Sequence, residues 1–433
     1  METQEILIGQ TVALSPETKP QAADDTRGGV LIAGGKIEMV GHGPTLREQF
    51  PQAKVTDYGD KLILPGFVDA HVHYPQTAII ASWGKRLIDW LNTYTFPEEM
   101  KFKDAAYAAE IAERFFDLSL SHGTTTVASY CTIHPESVHA FFTEASRRGV
   151  AAVAGKTCMD RNAPNGLRDT VVSAYDDSLS LIETWHGKGR LSYAITPRFS
   201  PTSTREQLEA LGALWAAHPS CLMQTHLSEQ PDEVAWVAEL FPEARDYLDT
   251  YEMTGLLGFG GVYGHAIHLT ERERRRLNEV DAAVAHCPTS NTFIGSGLFD
   301  AGHFLPVHAD FPEEERRVGL GTDTGGGSSF SMLRTMAAAY EIAQLRGLAL
   351  HPRALLCLAT ERSANALRLG DRIGTLAPGY DADLIVLDLA STPAIAQRSA
   401  HATDIWEAVF PTIMMGDDRA IHDVRVAGRS IHG

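Results

Sequence analysis

Two histidines separated by one residue, His71 and His73, are the first groups in this sequence able to bind a metal or move a proton. They end the run Asp69-Ala-His71-Val-His73, and alternate residues of a strand project to the same side, so both imidazoles would share a face. Imidazole pairs of this kind are typical ligands of zinc and similar divalent ions. The pair carries little weight alone, because a chain with 18 histidines among 433 residues contains roughly one such spacing by chance.

Three other apolar runs also end in residues that could complete a metal site. They close in Gln224-Thr-His226-Leu-Ser-Glu229, in Gly264-His265 and in Gly321-Thr-Asp323. If the runs are neighbouring strands, the resulting nitrogen-rich set suits one divalent ion, zinc before iron. The alternative is a group of hydrogen-bonded core residues, which would bury several titratable side chains without a compensating charge. We therefore predict one metal ion per chain, with the ligands His71, His73, His226 and Asp323.

Repeated strand-helix units would bring these residues together. Eight short apolar runs alternate with helical patterns between about residues 62 and 325, which is typical of a closed (β/α)8 barrel. Catalytic groups of such barrels lie at the carboxyl ends of the strands, where the four stretches fall. The expected strands are 62–72, 124–130, 150–156, 191–196, 220–226, 261–266, 282–286 and 317–322.

Helix-ending signals agree with these units. Ser203 and Thr270 each precede a glutamate by three residues, in the pattern of a capping box. Gly123 and Gly149 follow helical stretches, where a left-handed residue is favoured. Beyond the eighth strand we expect helices at 331–346 and 353–369.

The two ends of the chain have a different character. Residues 1–65 and 376–433 contain short strands with glycine turns, and neither end has an obvious core of its own. Pairing them into one small discontinuous β-sandwich domain would bury both and leave residues 66–375 as the barrel. The simpler alternative is that each end extends the barrel separately. The predicted fold class is α/β, a (β/α)8 barrel with a terminal β domain.

Charge and composition limit the partners. The net charge of −18 would repel nucleic acid and anionic lipid, so a neutral small-molecule substrate fits better. The first residues lack a basic and apolar signal segment, and no stretch approaches the roughly 18 apolar residues of a membrane span, so we expect a cytoplasmic protein. Five widely spaced cysteines indicate reduced packing residues instead of disulfides.

The motifs PGFVDAHVH, QTHLSE, GH and GLGTD, in this order, resemble the amidohydrolase superfamily of metal-dependent hydrolases across nearly the whole chain. Within it, the run His73-Tyr-Pro-Gln76, the block SYCTIHPES with GKTCMDRNAPNGLRD, and Arg198-Phe199 in TPRFSPT are similar to the guanine deaminase family. The resemblance implies deamination of guanine to xanthine and ammonia by a zinc-activated water, a step of purine breakdown. It also implies a homodimer.

One metal ion, not two, is expected. Many relatives hold two metals bridged by a carboxylated lysine at the end of strand four, but that strand here ends in Ile195-Thr-Pro-Arg198. An arginine cannot form a carbamate. Lys156 is the nearby rival, but it falls on strand three, and we expect a structural role for it.

The same resemblance implies roles for individual residues. Zinc lets water ionise near neutral pH, Asp323 would take the water proton, and Glu229 would protonate the ring nitrogen beside the attacked carbon. His265 would hydrogen-bond the attacking oxygen. The alternative for Glu229 is a solvated carboxylate at a helix start. The expected substrate-binding residues are Gln76, Arg198, Phe199, His73, His226 and Glu229.

Specificity is expected from Arg198, Phe199 and Gln76. A guanidinium group can pair with the O6 and N7 acceptors of guanine, and a phenyl ring can stack on the purine. Adenine presents an amine donor in place of O6, so an arginine would discriminate against it. Arg198 could instead form a salt bridge at the barrel rim, and Phe199 could be simple core.

Two other functions stay open. The first is another single-metal aminohydrolase or halohydrolase of the superfamily, acting on cytosine, an adenosine derivative or a triazine. Arg198, Phe199 and Gln76 argue against it. The second is a metal-free relative kept as a scaffold, against which the complete set of expected ligands argues.

Overall fold

The computed structural model describes residues 4–12, 14, 25–83, 86–304 and 317–431. Two sheets with their surrounding helices make up the molecule. The strands are β1 (Glu5–Thr11), β2 (Asp25–Ala33), β3 (Lys36–His42), β4 (Lys54–Pro65), β5 (Phe67–His73), β6 (Thr124–Tyr130), β7 (Ala151–Gly155), β8 (Thr157–Cys158), β9 (Leu191–Pro197), β10 (Leu222–Leu227), β11 (Gly261–His265), β12 (Ala283–His286), β13 (Val318–Leu320), β14 (Leu384–Leu387), β15 (Ile421–Val426) and β16 (Arg429–Ser430).

Helices separate most of the strands and cover the barrel from outside. The helices are α1 (Gly43–Gln49), α2 (Leu87–Trp90), α3 (Phe96–Glu99), α4 (Ala105–Ser121), α5 (Pro135–Arg148), α6 (Val171–Trp185), α7 (Arg205–Ala217), α8 (Pro231–Leu240), α9 (Tyr247–Glu252), α10 (Glu271–Glu279), α11 (Pro288–Phe293), α12 (Ala301–Phe304), α13 (Met332–Leu345), α14 (Pro352–Leu358), α15 (Glu361–Ala366), α16 (Pro393–Ser399) and α17 (Ile405–Met415). Among the residues that the structure describes, no helix is both long and apolar enough to span a membrane.

Eight strands form a nearly closed parallel barrel in the order β5-β6-β7-β9-β10-β11-β12-β13, and the two-residue strand β8 pairs with β9. β5 is buried along its whole length, as expected for a parallel strand covered on both faces. The first and last strands meet through the Asp323 amide, which donates to the His71 carbonyl at 2.8 Å. The barrel predicted from the eight apolar runs is therefore confirmed.

The first predicted strand, 62–72, is two strands. Residues up to Pro65 belong to β4 of the second sheet, and Gly66 separates them from β5. A Cβ on Gly66 would lie only 2.1 Å from the Thr125 hydroxyl oxygen, so only glycine fits at this crossing between the sheets.

Strands from both ends of the chain form the second sheet, in the order β16-β15-β14-β4-β1-β2-β3. Neighbours are antiparallel except for β1 and β4, which run parallel. Leu7, Ile63 and Leu384 from three different strands are fully buried in one shared apolar cluster. The expected pairing of the termini is thus confirmed, and the strands form one continuous sheet. The predicted domains also include residues 1–3, 13, 15–24, 84–85, 305–316 and 432–433, which lie outside the described residues.

The helix ends follow most of the predicted signals. Thr270 forms the predicted capping box with Glu273, and Gly123 and Gly149 are left-handed, with φ of 81° and 74°. The prediction at Ser203 is wrong by one residue. Thr204 caps α7 instead, because its amide and hydroxyl groups are both held by the Asp160 carboxylate.

The predicted helix at 353–369 is broken into α14 and α15. The Ala359 carbonyl accepts a hydrogen bond from the Val68 amide of β5 at 2.8 Å. A carbonyl committed to the barrel strand is unavailable to the helix, and the chain turns at Thr360.

Candidate active site

The ends of three strands place the four predicted metal ligands around one point. His71 and His73 end β5, His226 lies on β10, and Asp323 follows β13. All four side chains are buried. The Oδ1 atom of Asp323 lies 3.5 Å from His71 Nε2 and 3.4 Å from His73 Nε2. The Nε2 atoms of His73 and His226 are 3.1 Å apart.

The nitrogen atoms of this cluster fit a divalent ion. The Nδ1–H group of His226 donates to the Arg198 carbonyl at 2.6 Å, which leaves the Nε2 lone pair free to face the cluster. His71 Nε2 is buried and has no hydrogen-bond partner in the described chain. Three imidazole nitrogens and a carboxylate oxygen match the donor set of zinc, and burying them without an ion would be costly.

His265, the last residue of β11, lies in the same cluster. One nitrogen each from His71, His226 and His265 lies within 4.8 Å of the others, as do ligand atoms of His71, His73 and Asp323. The Nδ1–H group of His265 donates to Asn291 Oδ1 at 2.9 Å, so its Nε2 atom faces the site. His265 is therefore positioned either to bind the ion or to contact a ligand beside it.

Burial and local charge set the protonation of these groups. Burial lowers the pKa of His71 and lowers those of His73 and His226 well below their usual value, which favours the neutral, metal-binding form. Burial alone would raise the pKa of Asp323, but the nearby imidazoles of His71 and His265 hold that pKa at about 2. The cluster thus combines neutral imidazoles with an ionised carboxylate.

Three residues beside the cluster have a left-handed backbone that side chains other than glycine rarely adopt. The φ angles are 48° at Ser228, 66° at His265 and 49° at Asp323. Such conformations cost about 1–3 kcal/mol each and persist where surrounding bonds hold them. Here the Ser228 carbonyl accepts from the amides of Ile267 and His268 at 3.1 and 3.0 Å.

Glu229 follows β10 and faces the same point. Its Oε1 accepts from the Ser296 hydroxyl at 3.0 Å, and its Oε2 lies 3.6 Å from His265 Nε2. The Glu229 amide donates to the buried Glu233 carboxylate at 2.8 Å, which fixes the backbone. Burial raises the pKa of Glu229 to about 7, so its carboxyl group can carry a proton near neutral pH.

The Glu229 and Asp323 carboxylates act in turn on His265. Burial alone would lower the pKa of His265, but these negative charges and the bond to Asn291 raise it above its usual value. Protonation of His265 is therefore easier than that of a free imidazole.

A cavity opens beside the cluster, in contact with the predicted metal ligands His73, His226 and Asp323. It brings together all the predicted catalytic and substrate-binding residues with several apolar side chains. Its lining comprises His73, Gln76, Leu87, Trp90, Leu91, Arg198, Phe199, His226, Glu229, His265, Ile294, Asp323 and Gly326.

Arg198 and Gln76 share a buried partner, Glu99. Arg198 Nη1 donates to both carboxylate oxygens of Glu99, at 2.7 and 3.0 Å, and Gln76 Nε2 donates to Glu99 Oε1 at 3.1 Å. Phe199 lines the cavity and also packs in a small apolar cluster that includes Leu91 and Met159. The ring is thus both a wall of the cavity and part of the core.

Lys156 takes no part in this site. Its ammonium group forms a buried ion pair with Asp169, with Nζ and Oδ1 2.7 Å apart. This pair holds the loop that follows β8, in line with the structural role expected for the lysine.

Residues 62–431 match the model of the amidohydrolase family, a range that spans the barrel and the strands β14, β15 and β16 of the terminal sheet. The chain belongs to the amidohydrolase family.

Individual relatives resemble this amidohydrolase along nearly its whole length. The guanine deaminase of Escherichia coli (strain K12) is 42% identical over 404 residues, which cover 93% of this chain and 90% of that protein. The solved structure of E. coli guanine deaminase matches with a TM-score of 0.92 at 40% identity, over 100% of this chain and 99% of that chain. A guanine deaminase from C. acetobutylicum, solved with guanine in its active site, matches with a TM-score of 0.89 at 27% identity, over 99% of this chain and 100% of that chain.

Three polar residues of the amidohydrolase site were missed by sequence reasoning. Glu99, Asn291 and Ser296 hold Arg198, His265 and Glu229 respectively. None follows a barrel strand directly, and nothing in the sequence distinguishes Glu99 from its neighbour Glu98. Only their positions in the folded chain identify them.

Proposed function

We propose that this amidohydrolase is a guanine deaminase, which replaces the exocyclic amine of guanine with oxygen and releases xanthine and ammonia. What carries the proposal is one cavity lined both by the histidine cluster with Glu229 and by Arg198 and Gln76. The similarity of nearly the whole chain to guanine deaminases also supports it. The first group of residues can activate water, and the second can recognise a purine.

Recognition in this proposal rests on hydrogen-bond polarity. The guanidinium of Arg198 offers donors that match the O6 and N7 acceptors of guanine. Adenine carries an amine donor in place of O6, and two donors cannot pair. Phe199 offers a ring face for the purine.

The activation of water would depend on a metal ion. His71, His73, His226 and Asp323 would hold it. When zinc is bound there, it supplies the Lewis acidity that lets water ionise near neutral pH. Asp323 accepts the proton from the attacking water, because its low pKa keeps the carboxylate ionised beforehand.

Two further groups act on the substrate. Glu229 donates a proton to the ring nitrogen beside the attacked carbon, and the Nε2–H group of His265 stabilises the oxygen that becomes negatively charged. Collapse breaks the bond between carbon and the exocyclic nitrogen, and ammonia leaves with a proton relayed from the carboxylates. The ring carbon keeps the oxygen of water, which gives xanthine.

The test is turnover of a panel of amines by the purified, zinc-loaded protein. Guanine, adenine, cytosine and an amino-triazine are each incubated with enzyme, and ammonia and the deaminated product are quantified. We expect guanine to be turned over at least about a hundredfold faster than the others. Faster turnover of another amine would show that this amine, and not guanine, is the substrate. No turnover of any of the four would contradict the proposal.

Finer points of the proposal remain predictions. These are zinc in preference to iron, a cytoplasmic homodimer, a role in purine breakdown, and domains at 1–65 with 376–433 and at 66–375. β4 belongs to the terminal sheet, whose strand pairing is mixed, and β5 belongs to the parallel barrel. This change of sheet between β4 and β5 supports the domain boundary.

A further inference from the structure

Glu99 lies behind the two side chains that face the purine in the proposed function. It is 1% exposed, ends the short helix α3, and does not line the cavity. Its two carboxylate oxygens accept hydrogen bonds from Arg198 Nη1, and one of them also accepts from Gln76 Nε2. A single buried acid therefore orients both recognition groups.

This arrangement fixes which atoms remain for a ligand. Because the amide nitrogen of Gln76 is bound to Glu99, the amide oxygen is the atom left to accept a hydrogen bond in the cavity. Because Nη1 of Arg198 is occupied, Nη2 and Nε are left to donate, and neither has an acceptor within the described parts of the chain. The wall thus presents one acceptor and a pair of donors in fixed places.

Glu99 also cancels the charge of this wall. An unpaired guanidinium in a buried cavity would attract anions strongly, because charges are poorly screened away from water. The Arg198–Glu99 pair has no net charge, with 2.7 Å between Nη1 and Oε2. Pairing of Arg198 with Glu99 does not weaken the binding of a neutral purine. An anionic purine, by contrast, binds without the ion pair that an unpaired guanidinium would offer.

This distinction matters for the proposed reaction. Xanthine is a stronger acid than guanine and is partly anionic slightly above neutral pH, whereas guanine is neutral there. We propose that Glu99 is a specificity-determining positioning residue that makes the cavity prefer neutral lactam purines and release the more acidic product. This inference rests on the proposed function of the same site.

The test measures binding of two purines that the enzyme cannot deaminate. Hypoxanthine is the neutral ligand and xanthine the acidic one, and calorimetry at about pH 8 on the metal-loaded protein gives both dissociation constants. In Glu99→Gln one amide oxygen can still accept from Arg198 and Gln76, but the charge is lost. We expect the affinity for xanthine relative to hypoxanthine to rise about tenfold in this variant.

Two control variants separate charge from structure. Glu98→Gln alters the adjacent buried glutamate, which binds Lys101 and Tyr107 away from the cavity, and should leave the ratio within about twofold of wild type. Glu99→Asp keeps the charge and should also keep the ratio, even if both ligands bind more weakly. An equal rise in Glu99→Asp and Glu99→Gln, or no rise in a folded Glu99→Gln, would overturn the proposal.

A reciprocal variant covers the case in which Glu99→Gln does not fold. Arg198→Gln leaves the Glu99 charge unbalanced and should lower the xanthine-to-hypoxanthine affinity ratio, and an unchanged ratio would again overturn the proposal. Turnover of guanine by the wild-type protein is measured in parallel. Its absence would count against guanine deamination, whereas the binding ratios alone decide the role of Glu99.

Discussion

The contacts of Glu229 indicate its chemical role most directly. Ser296 holds one carboxylate oxygen, the other faces His265, and Glu233 holds the backbone amide. Burial raises its pKa to about 7, which suits a group that must give up a proton near neutral pH. No ion-pairing lysine or arginine contacts its carboxylate in the described chain, as a structural salt bridge would require.

We expect Glu229→Gln to lose most of its turnover, by a factor of about 10² to 10⁴, because glutamine cannot donate a proton to the ring. The variant should keep its fold and its metal, since Glu229 is not among the predicted ligands. Turnover, bound metal and circular dichroism are measured together.

Glu239→Gln on α8, the helix that follows Glu229, is the matched control, because that side chain is exposed. It should behave as wild type in all three measurements. Near wild-type turnover in Glu229→Gln would remove the proton-donor role.

At the scale of elements, the segment between β5 and α4 shapes the cavity. It includes a turn of π-helix at Leu91–Thr95, a rare conformation that is frequent at functional sites. The segment contributes Trp90 and Leu91 to the cavity wall and Glu99 to the support behind it. Substrate recognition thus depends on an insertion after the first barrel strand, and catalysis on the strand ends.

The elements also explain which predictions from sequence succeed. Strands of a parallel barrel are apolar on both faces, so their positions and polar ends are visible in the sequence, and His71, His226 and Asp323 could be found in this way. Glu99 and Arg198 are 99 residues apart in sequence, and no local pattern links them. The break between α14 and α15 was equally hidden, because a distant strand causes it.

The terminal sheet has its own pH dependence. Burial alone would raise the pKa of Glu5 on β1, but Thr56, Lys54 and Arg425 together lower it. A carboxyl group with a lowered pKa in the folded state stabilises the protein above its unfolded pKa of about 4.5 and loses that contribution as the pH falls further. As the pH is lowered below about 4.5, we expect the urea concentration at the unfolding midpoint to fall more steeply for wild type than for Glu5→Gln. Parallel curves for the two proteins would show that the Glu5 contacts contribute nothing.

On the scale of the whole molecule, Arg190 joins the terminal sheet to the barrel. It donates to Asp383 at 3.0 Å and to the Gly149 carbonyl at 2.8 Å, and it lies 3.3 Å from Asp381. Burial raises the pKa of Asp383, and the Arg190 charge counters this effect. The sheet is therefore fixed to the barrel through a mostly buried charge cluster.

We expect Arg190→Ala to destabilise the protein by about 3–5 kcal/mol, because it leaves buried carboxylates without their cation. Thermal and urea unfolding measure the loss. Arg205→Ala is the control, since the Arg205–Glu209 pair is exposed and screened by solvent, and it should leave the stability almost unchanged. Equal losses in both variants would contradict a special role for the junction.

The most direct test of the proposed enzyme is the production of xanthine from guanine by protein stripped of metal with a chelator and then reloaded with zinc. Bound zinc per chain, xanthine and ammonia are measured on the same samples. We expect no turnover from the stripped protein, recovery in proportion to zinc up to one ion per chain, and equal amounts of xanthine and ammonia. Full turnover without metal, or a protein with one zinc per chain that leaves guanine unchanged, would contradict a zinc-dependent guanine deaminase.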